Sequence, residues 1–379
     1  MEHRDIRLLS SHSSPWNNLP KELLAMILKR LAFVDIVSVK SICSNWNIAV
    51  RSYIYTPSPQ TPCLMFHKGW STKDFESPTF FTLAENKFYH ITNGHPYNYY
   101  RYEVVGLLYG WLVIFTVPGY PYIINPFTSS CIIQLPKLIK SEDKKKRQLL
   151  SISKAIIPSY FYSSSFWVAV IYGPHRKRLG FLKHSHKTWT HLGGASEVYI
   201  DIIFYNGMLY ALRNGGAIEV WDFLSPSPKK VMDLEVALAL PQLVTYTKAF
   251  LVESMGKLLF VLRLTGGESP NLIDQFFVYQ LDCGGERWIT VETLSNQAFF
   301  ASKHQCVSIY AQDLPQVEEN SIYFLTTDYT TFGICNLKER RMINNTCAIN
   351  NREKPTRAPF WFIPNPHWMA NNVGQLPIR

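Results

Sequence analysis

The hydrophobic pattern of the chain changes once, near residue 50. Before that point, apolar residues recur at the spacing of a helix and form a single stripe, which consists of Leu23, Leu24, Ile27, Leu28 and Leu31. Pro20 and Glu22 suit the first turn of this helix, because proline lacks an N–H that would be unpaired there and glutamate complements the helix dipole. The pattern predicts an amphipathic helix that starts near Pro20.

Two shorter helices are predicted to follow. Asp35 and Ser44 are typical capping residues, and the helices that follow them carry Ile36, Val39 and Ile42, and then Trp46, Ile48 and Ala49. Helices this short cannot enclose a core of their own, because chains below about 40 residues rarely do. Their apolar surface must be covered by the rest of this chain or by another protein. We favour a docking module; a helical hairpin packed on its own domain is the alternative.

The same residues resemble an F-box motif without gaps. The residues that carry the resemblance are Leu19, Pro20, Leu23, Ile27, Leu31, Asp35, Ile36, Val39, Ile42, Cys43 and Trp46. In that family the helices bind a Skp-type adaptor, which joins a cullin-based ubiquitin ligase. The resemblance therefore implies an adaptor-binding site made of Leu19, Pro20, Leu23, Ile27, Leu31, Val39, Ile42 and Trp46. Among these we expect Ile42 and Trp46 to pack internally between the helices.

From Cys63 onward, short apolar runs alternate with polar turns, as in β-hairpins. Hairpins are predicted at residues 80–91, 122–133, 179–190, 202–212, 217–232, 249–262, 276–289 and 332–343. Two hairpins per unit, at a spacing of roughly 40 to 60 residues, are typical of a four-stranded propeller blade. We predict about six blades, with five or seven left open, and residues 360–363 as the strand that closes the ring. A pair of β-sandwiches is the alternative.

This second region also resembles the plant F-box proteins that carry the domain of unknown function 295. The resemblance rests on the runs FFTLAENKFYHI, GLLYGWLVIF, INPFTSSCIIQLP, DIIFYNGMLYAL and IEVWDF. It implies an N-terminal F-box followed by a propeller-like domain. It indicates an architecture more firmly than a target.

The predicted fold class is therefore α+β multidomain, with a three-helix F-box ahead of an all-β propeller. We expect a disordered tail at residues 1–17, the F-box at residues 18–53, and a proline-rich linker at residues 54–62. The propeller-like domain is expected at residues 63–364, with a C-terminal tail at residues 365–379.

Composition narrows the classes of partner. The chain has a formal net charge of +10, which favours an acidic target surface. Its basic residues are scattered apart from residues 144–147 and 175–178, so nucleic-acid binding is not expected and loop tips are the favoured interpretation of both clusters. The N-terminus lacks the apolar core of a secretion signal, and the longest apolar run, residues 106–117, is too short to cross a membrane. We expect an intracellular protein of the nucleus, the cytoplasm or both.

No sequence motif for catalysis is present, since GxSxG, Walker, GxGxxG and HExxH patterns are all missing. Seven widely spaced cysteines without a CxxC pair do not indicate zinc or a disulfide framework. The nearest approach to a metal site is the trio His184, His186 and His191, which no carboxylate or thiol completes. We therefore expect no cofactor and a non-catalytic substrate receptor with an unknown protein target. A propeller hydrolase and a scaffold independent of the ligase are the alternatives.

Overall fold

A computed structural model provides the structure. It describes residues 15–28, 30–31, 33–39, 42–53, 61–66, 79–90, 102–108, 110–116, 120–126, 132–138, 152–157, 166–184, 186–194, 198–223, 228–235, 247–264, 274–282, 284, 287–312, 314, 316–326, 331–345 and 358–364. The described residues fall into two compact units, one within residues 15–53 and one within residues 61–364. Most of the predicted linker, residues 1–14 of the predicted N-terminal tail and the whole predicted C-terminal tail lie outside the described residues, as does the basic cluster at 144–147.

The first unit is helical. A 3-10 turn at Pro15–Asn18 precedes the helices α1 (Lys21–Leu28), α2 (Phe33–Val39) and α3 (Ser44–Tyr53). Helix α1 starts directly after Pro20, whose carbonyl accepts a hydrogen bond of 3.1 Å from the N–H of Leu24. The core of the unit consists of buried apolar side chains from all of these helices: Leu24, Leu28, Ile36, Trp46, Ala49 and Val50.

The second unit is built from short strands. They are β1 (Cys63–Phe66), β2 (Thr79–Thr82), β3 (Lys87–His90), β4 (Tyr102–Leu108), β5 (Trp111–Thr116), β6 (Pro121–Ile124), β7 (Ile132–Gln134), β8 (Ile152–Ile156), β9 (Trp167–Tyr172), β10 (Arg178–Lys183), β11 (Thr190–Gly194), β12 (Tyr199–Tyr205), β13 (Met208–Arg213), β14 (Ile218–Asp222), β15 (Lys229–Leu234), β16 (Thr247–Ser254), β17 (Lys257–Leu264), β18 (Gln275–Leu281), β19 (Trp288–Val291), β20 (Gln297–Ala301), β21 (Cys306–Tyr310), β22 (Ser321–Leu325), β23 (Phe332–Asn336), β24 (Arg341–Asn345) and β25 (Phe360–Phe362).

These strands form six sheets, which are the blades of a β-propeller. Blade 1 has the strand order β25-β1-β2-β3, blade 2 β4-β5-β6-β7, blade 3 β8-β9-β10-β11, blade 4 β12-β13-β14-β15 and blade 5 β16-β17-β18-β19. Blade 6 has five strands in the order β21-β20-β22-β23-β24. Neighbouring blades meet through their first strands, since β4 contacts β8, β8 contacts β12, β12 contacts β16 and β16 contacts β21. These strands therefore surround a central channel. The prediction of about six blades is confirmed, and the β-sandwich alternative is wrong.

The ring is closed by strands from the two ends of the propeller sequence. Strand β25 pairs antiparallel with β1, and Cys63 lies opposite Phe362 in the register. The Trp361 side chain is fully buried and lies with its ring centroid 5.1 Å from that of Phe300 and 5.5 Å from that of Phe332, both in blade 6. The prediction that residues 360–363 supply the closing strand is therefore confirmed.

Two features of the propeller were not predicted. The hairpin of β20 and β21 adds a fifth strand to blade 6, where β20 pairs parallel with β22. The second feature is the close approach of blades 2 and 3 at Gly106, where a Cβ atom would lie 2.2 Å from the carbonyl oxygen of Ala155. Only glycine fits there without moving the main chain.

The basic cluster at residues 175–178 forms an exposed turn between β9 and β10. His175 and Arg176 both have φ 57°, a left-handed conformation that non-glycine residues adopt mainly in tight turns. The interpretation of this cluster as a loop tip is confirmed. No helix in the described part of the chain combines the length and the apolar character required to span a bilayer.

Candidate adaptor-binding site

The apolar stripe of α1 is divided between the interior and the surface of the helical unit. Leu24 and Leu28 lie one turn apart and are 0% exposed, so this edge of the helix faces the core. Leu23 and Met26 lie on the neighbouring edge and are 47% and 57% exposed. The sequence pattern placed Leu23 and Leu24 in one stripe, whereas the structure gives them different roles.

Other apolar residues of this unit are also exposed. Pro20 is exposed at the start of α1, and Trp16, Ile42 and Ile48 expose half or more of their surface. Contiguous exposed apolar side chains are typical of a surface that another protein covers, and Leu23 and Met26 are neighbours at i and i+3 on α1. The helical unit therefore presents apolar side chains that its own core does not use.

The eight residues predicted to bind an adaptor fall into three groups. Leu19, Ile27, Leu31 and Val39 are half-buried and pack against the core, whereas Pro20, Leu23 and Ile42 are exposed. Trp46 is buried, which confirms the expectation that it packs internally. The same expectation for Ile42 is wrong, since this side chain is 56% exposed just before α3. A pattern of apolar residues cannot show which members of a short segment point away from the core.

Side-chain hydrogen bonds hold the segment before α1 against the start of α3. The Asn45 side-chain amide donates to the main-chain carbonyls of Asn17 at 3.0 Å and Leu19 at 3.2 Å. The indole N–H of Trp46 donates to the carbonyl of Trp16 at 3.1 Å. These bonds fix the position of Leu19 and Pro20, and sequence reasoning missed Asn45. Its only signal was a polar residue in the first turn of a predicted helix.

A buried ion pair in the propeller channel joins Lys154 in blade 3 to Asp201 in blade 4. The second carboxylate oxygen of Asp201 accepts a hydrogen bond of 2.7 Å from the N–H of Leu251 in blade 5. Burial raises the pKa of Asp201, while Lys154 and the main-chain N–H groups of Leu251 and Ile202 oppose that shift. Because both oxygens have partners, this carboxylate joins three blades and is not arranged as a general base.

Of the three histidines considered as a metal site, His184 and His191 have separate surroundings. The His184 ring lies 4.7 Å from the ring of Phe166, whereas Nδ1 of His191 lies 2.6 Å from the hydroxyl oxygen of Tyr172. Among the described residues, no group of three or more His, Cys, Asp or Glu side chains is placed to hold a metal ion.

Comparison with known families assigns both units. The F-box domain model matches residues 16–56, and the KIB1-4 beta-propeller model matches residues 80–348. F-box protein SKIP23 of Arabidopsis thaliana is 23% identical over 82% of this chain and 83% of its own length. F-box protein At2g26160 of the same organism is 23% identical over 82% of this chain and 95% of its own length. A third relative from Arabidopsis thaliana, At5g55150, is also named as an F-box protein. It is 26% identical over 85% of this chain and 88% of its own length.

Among solved structures, the β-propeller domain of Myceliophteria thermophila Cps50 (Swd1) matches with a TM-score of 0.36 and 9% identity, over 76% of this chain and 80% of that chain. This similarity is too low to bear on fold or function. The two family matches cover the helical unit and most of the propeller. The chain therefore belongs to the KIB1-4 beta-propeller family and is a plant F-box protein in which the propeller follows the F-box domain.

Proposed function

We propose that this protein is the substrate-receptor subunit of a Skp–cullin–F-box ubiquitin ligase. The observation that carries the proposal is the exposure of Pro20 and Leu23 on a unit that matches the F-box domain model. In this proposal residues 18–53 form a three-helix F-box that binds a Skp-type adaptor and, through it, a cullin. Within the nucleus, the cytoplasm or both, the propeller binds a protein target.

The chain itself carries out no chemical step in this function. By holding a target on the propeller and an adaptor on the F-box, it raises the effective concentration of target lysines near the ubiquitin-charged ligase. Such a receptor needs two binding surfaces and no catalytic residues.

Leu19 and Pro20 are the best residues with which to test the adaptor contact. They precede the core-forming part of α1, and neither is fully buried. We expect the double variant Leu19→Ala, Pro20→Ala to lose co-purification with a Skp-type adaptor while its propeller keeps the wild-type melting temperature. A matched control is Val231→Ala, Met232→Ala, which also truncates two exposed apolar residues but lies in blade 4 of the propeller.

The results separate the alternatives. Loss of adaptor binding in the Leu19, Pro20 variant alone supports the docking assignment. Equal binding by both variants, with unchanged melting, contradicts it. If the intact chain does not bind any Skp-type adaptor, the ligase function itself is wrong. If it binds the adaptor but no cullin joins the complex, the protein acts as a scaffold independent of the ligase.

A further inference from the structure

One turn of blade 6 crosses an end of the propeller channel. The turn at residues 302–305 joins β20 to β21, and its Lys303 ammonium lies 2.9 Å from a carboxylate oxygen of Glu103 in blade 2. Nδ1 of His304 lies 2.9 Å from the carbonyl oxygen of Ser153 in blade 3. The hydroxyl oxygen of Ser302 accepts a hydrogen bond of 2.8 Å from the N–H of Trp361 in blade 1. The turn therefore covers this end of the channel.

A cavity of about 530 Å³ lies within the channel, and its lining changes from buried to exposed along its length. Lys154, Asp201 and Cys306 are buried near the covered end, and Lys154 and Cys306 line the cavity. Asn206 and Met255 line it too and are exposed, and each lies in a tight turn between the first two strands of its blade. The cavity thus opens between these two turns. Its volume falls in the range of about 300 to 1,000 Å³ that ligand pockets occupy.

The mouth of the cavity is held in place before any ligand arrives. The hydroxyl of Tyr205, in the last position of β12, donates a hydrogen bond of 2.8 Å to the carbonyl of Gly256 in the turn of blade 5. Met255 and Asn206 have φ 52° and φ 48°, left-handed conformations that tight hairpin turns require. Because the mouth is already ordered, less conformational entropy is lost when a ligand binds.

Most polar groups of the cavity already have partners. Lys154 and Asp201 neutralise each other, and on the opposite wall the hydroxyl oxygen of Ser308 lies 2.8 Å from that of Ser254 and 3.0 Å from the side-chain carbonyl oxygen of Gln297. One lining carboxylate, that of the exposed Glu253, forms no ion pair with any residue in the described ranges. Glu253 is therefore an unpaired negative charge in the described lining, whereas the positive charge of Lys154 is paired with Asp201.

Aromatic rings form another part of the same wall. Trp167 and Phe204 line the cavity and pack edge to face at an interplanar angle of 81°. A ring face attracts a cation, and an unpaired carboxylate in the lining of the same cavity adds to that attraction. Met255 supplies flexible apolar surface at the mouth, where it can cover the methylene groups of a long side chain. Together these groups suit a cation on an aliphatic stem.

We propose that this cavity is the target-binding pocket and that it accepts a lysine or arginine side chain of the target protein. The ammonium or guanidinium group lies against Glu253 and the rings of Trp167 and Phe204, and the stem lies along Met255. This proposal rests on the proposed function, since it takes the occupant to be the target of the receptor. The chain's net charge of +10 would by itself favour acidic ligands, so a preference for cationic ligands must come from a local site.

The test uses the full chain and defined peptides. Acetylated heptapeptides of glycine and serine, with lysine, arginine, norleucine or glutamate at the centre, are titrated at low salt and followed by ligand-observed NMR. We expect the lysine and arginine peptides to bind at least about fivefold more tightly than the norleucine peptide. Glu253→Gln should abolish that difference, and Glu253→Lys should reverse it in favour of the glutamate peptide.

Glu292→Gln is the matched control, because it removes the charge of another exposed carboxylate in the same blade region outside the cavity. This variant should keep the preference of the wild-type protein. Equal binding of lysine, arginine and norleucine peptides overturns the proposal. An equal loss of the preference for cationic peptides in Glu253→Gln and Glu292→Gln overturns it as well. Adaptor co-purification on the same preparations tests the proposed function separately, because the peptides contact only the propeller.

Discussion

The side-chain amide of Asn45 donates a hydrogen bond of 3.2 Å to the carbonyl of Leu19, which lies 26 residues earlier in the chain. A second bond from the same nitrogen reaches the carbonyl of Asn17 at 3.0 Å. One side chain at the start of α3 therefore positions the Leu-Pro pair at the start of α1. It acts on the proposed adaptor site without being one of the residues predicted to touch the adaptor.

Asn45→Asp should loosen this segment. The change removes both donated bonds and places a carboxylate oxygen against two carbonyl oxygens, which should lower the free energy of unfolding of the helical unit by about 1 to 3 kcal/mol. Amide hydrogen exchange at residues 16–24 should accelerate, and adaptor binding should weaken. Ser44→Asp is the control, since it adds the same charge at the preceding, exposed position, where the helix dipole favours it. Equal exchange rates in the two variants would contradict the positioning role of Asn45.

Leu23→Ala and Leu24→Ala apply one chemical change to neighbouring residues with opposite environments. Leu24 is 0% exposed, so its truncation should destabilise the helical unit by about 2 to 5 kcal/mol. Leu23 is 47% exposed, so its truncation should leave the fold intact and weaken adaptor binding. Circular dichroism melting and adaptor titration distinguish the two effects. If Leu23→Ala binds the adaptor as tightly as the wild-type protein, this edge of α1 does not belong to the interface.

The difference between Leu23 and Leu24 also shows how far the sequence could predict the site. A stripe of five apolar residues indicates a helix, but adjacent residues lie about 100° apart on a helix and a broad stripe does not show which edge is buried. Trp46 was correctly expected inside because a large aromatic side chain in a short helix has few other places to pack. Ile42 was wrongly expected inside because its exposure depends on where the chain turns before α3.

In the propeller, local signals predicted the hairpins well and long-range pairing poorly. Strands such as β12 and β16 are apolar on both sides because each blade packs between two others. A tight turn at Asn206 joins β12 to its hairpin partner β13, and a tight turn at Met255 joins β16 to its hairpin partner β17. The place of the β20–β21 hairpin in blade 6 was missed because β20 pairs parallel with β22, a long-range contact that no tight turn encodes. The pocket was missed for the same reason, since blades distant in sequence bring Trp167 and Glu253 to one cavity.

Trp361→Ala should open the closure of the ring. The fully buried indole packs between blade 1 and blade 6, and its removal should lower the free energy of unfolding of the propeller by about 3 to 5 kcal/mol. The indole N–H has no hydrogen-bond partner among the described residues. Trp361→Phe therefore keeps much of the packing and removes an unpaired polar group, and it should lower stability by about 1 kcal/mol. Denaturant unfolding of the propeller checks both values. Equal losses of stability in the two variants would show that the packing of an aromatic side chain at this position is not the cause of the destabilisation.

His304 should make the stability of the propeller depend on pH. Burial and the nearby Lys303 and Lys154 ammonium groups lower its pKa to about 4, while Glu103 and the carbonyl of Ser153 oppose that shift. In the unfolded chain a histidine has a pKa of about 6.5, so between these values the unfolded state binds more protons than the folded state. The stability contributed by neutral His304 is therefore complete above about pH 6.5 and is lost as the pH falls toward 4.

We expect the free energy of unfolding to fall by about 3 kcal/mol across this window because of His304. His304→Gln should flatten the curve there, since glutamine can still donate to the carbonyl of Ser153 but does not titrate. His175→Gln, in the exposed turn between β9 and β10, is the control and should keep the wild-type slope. Urea unfolding at half-unit steps from pH 7 to pH 4 measures all three curves. A slope in His304→Gln as steep as that of the wild-type protein would show that groups other than His304 cause the acid sensitivity.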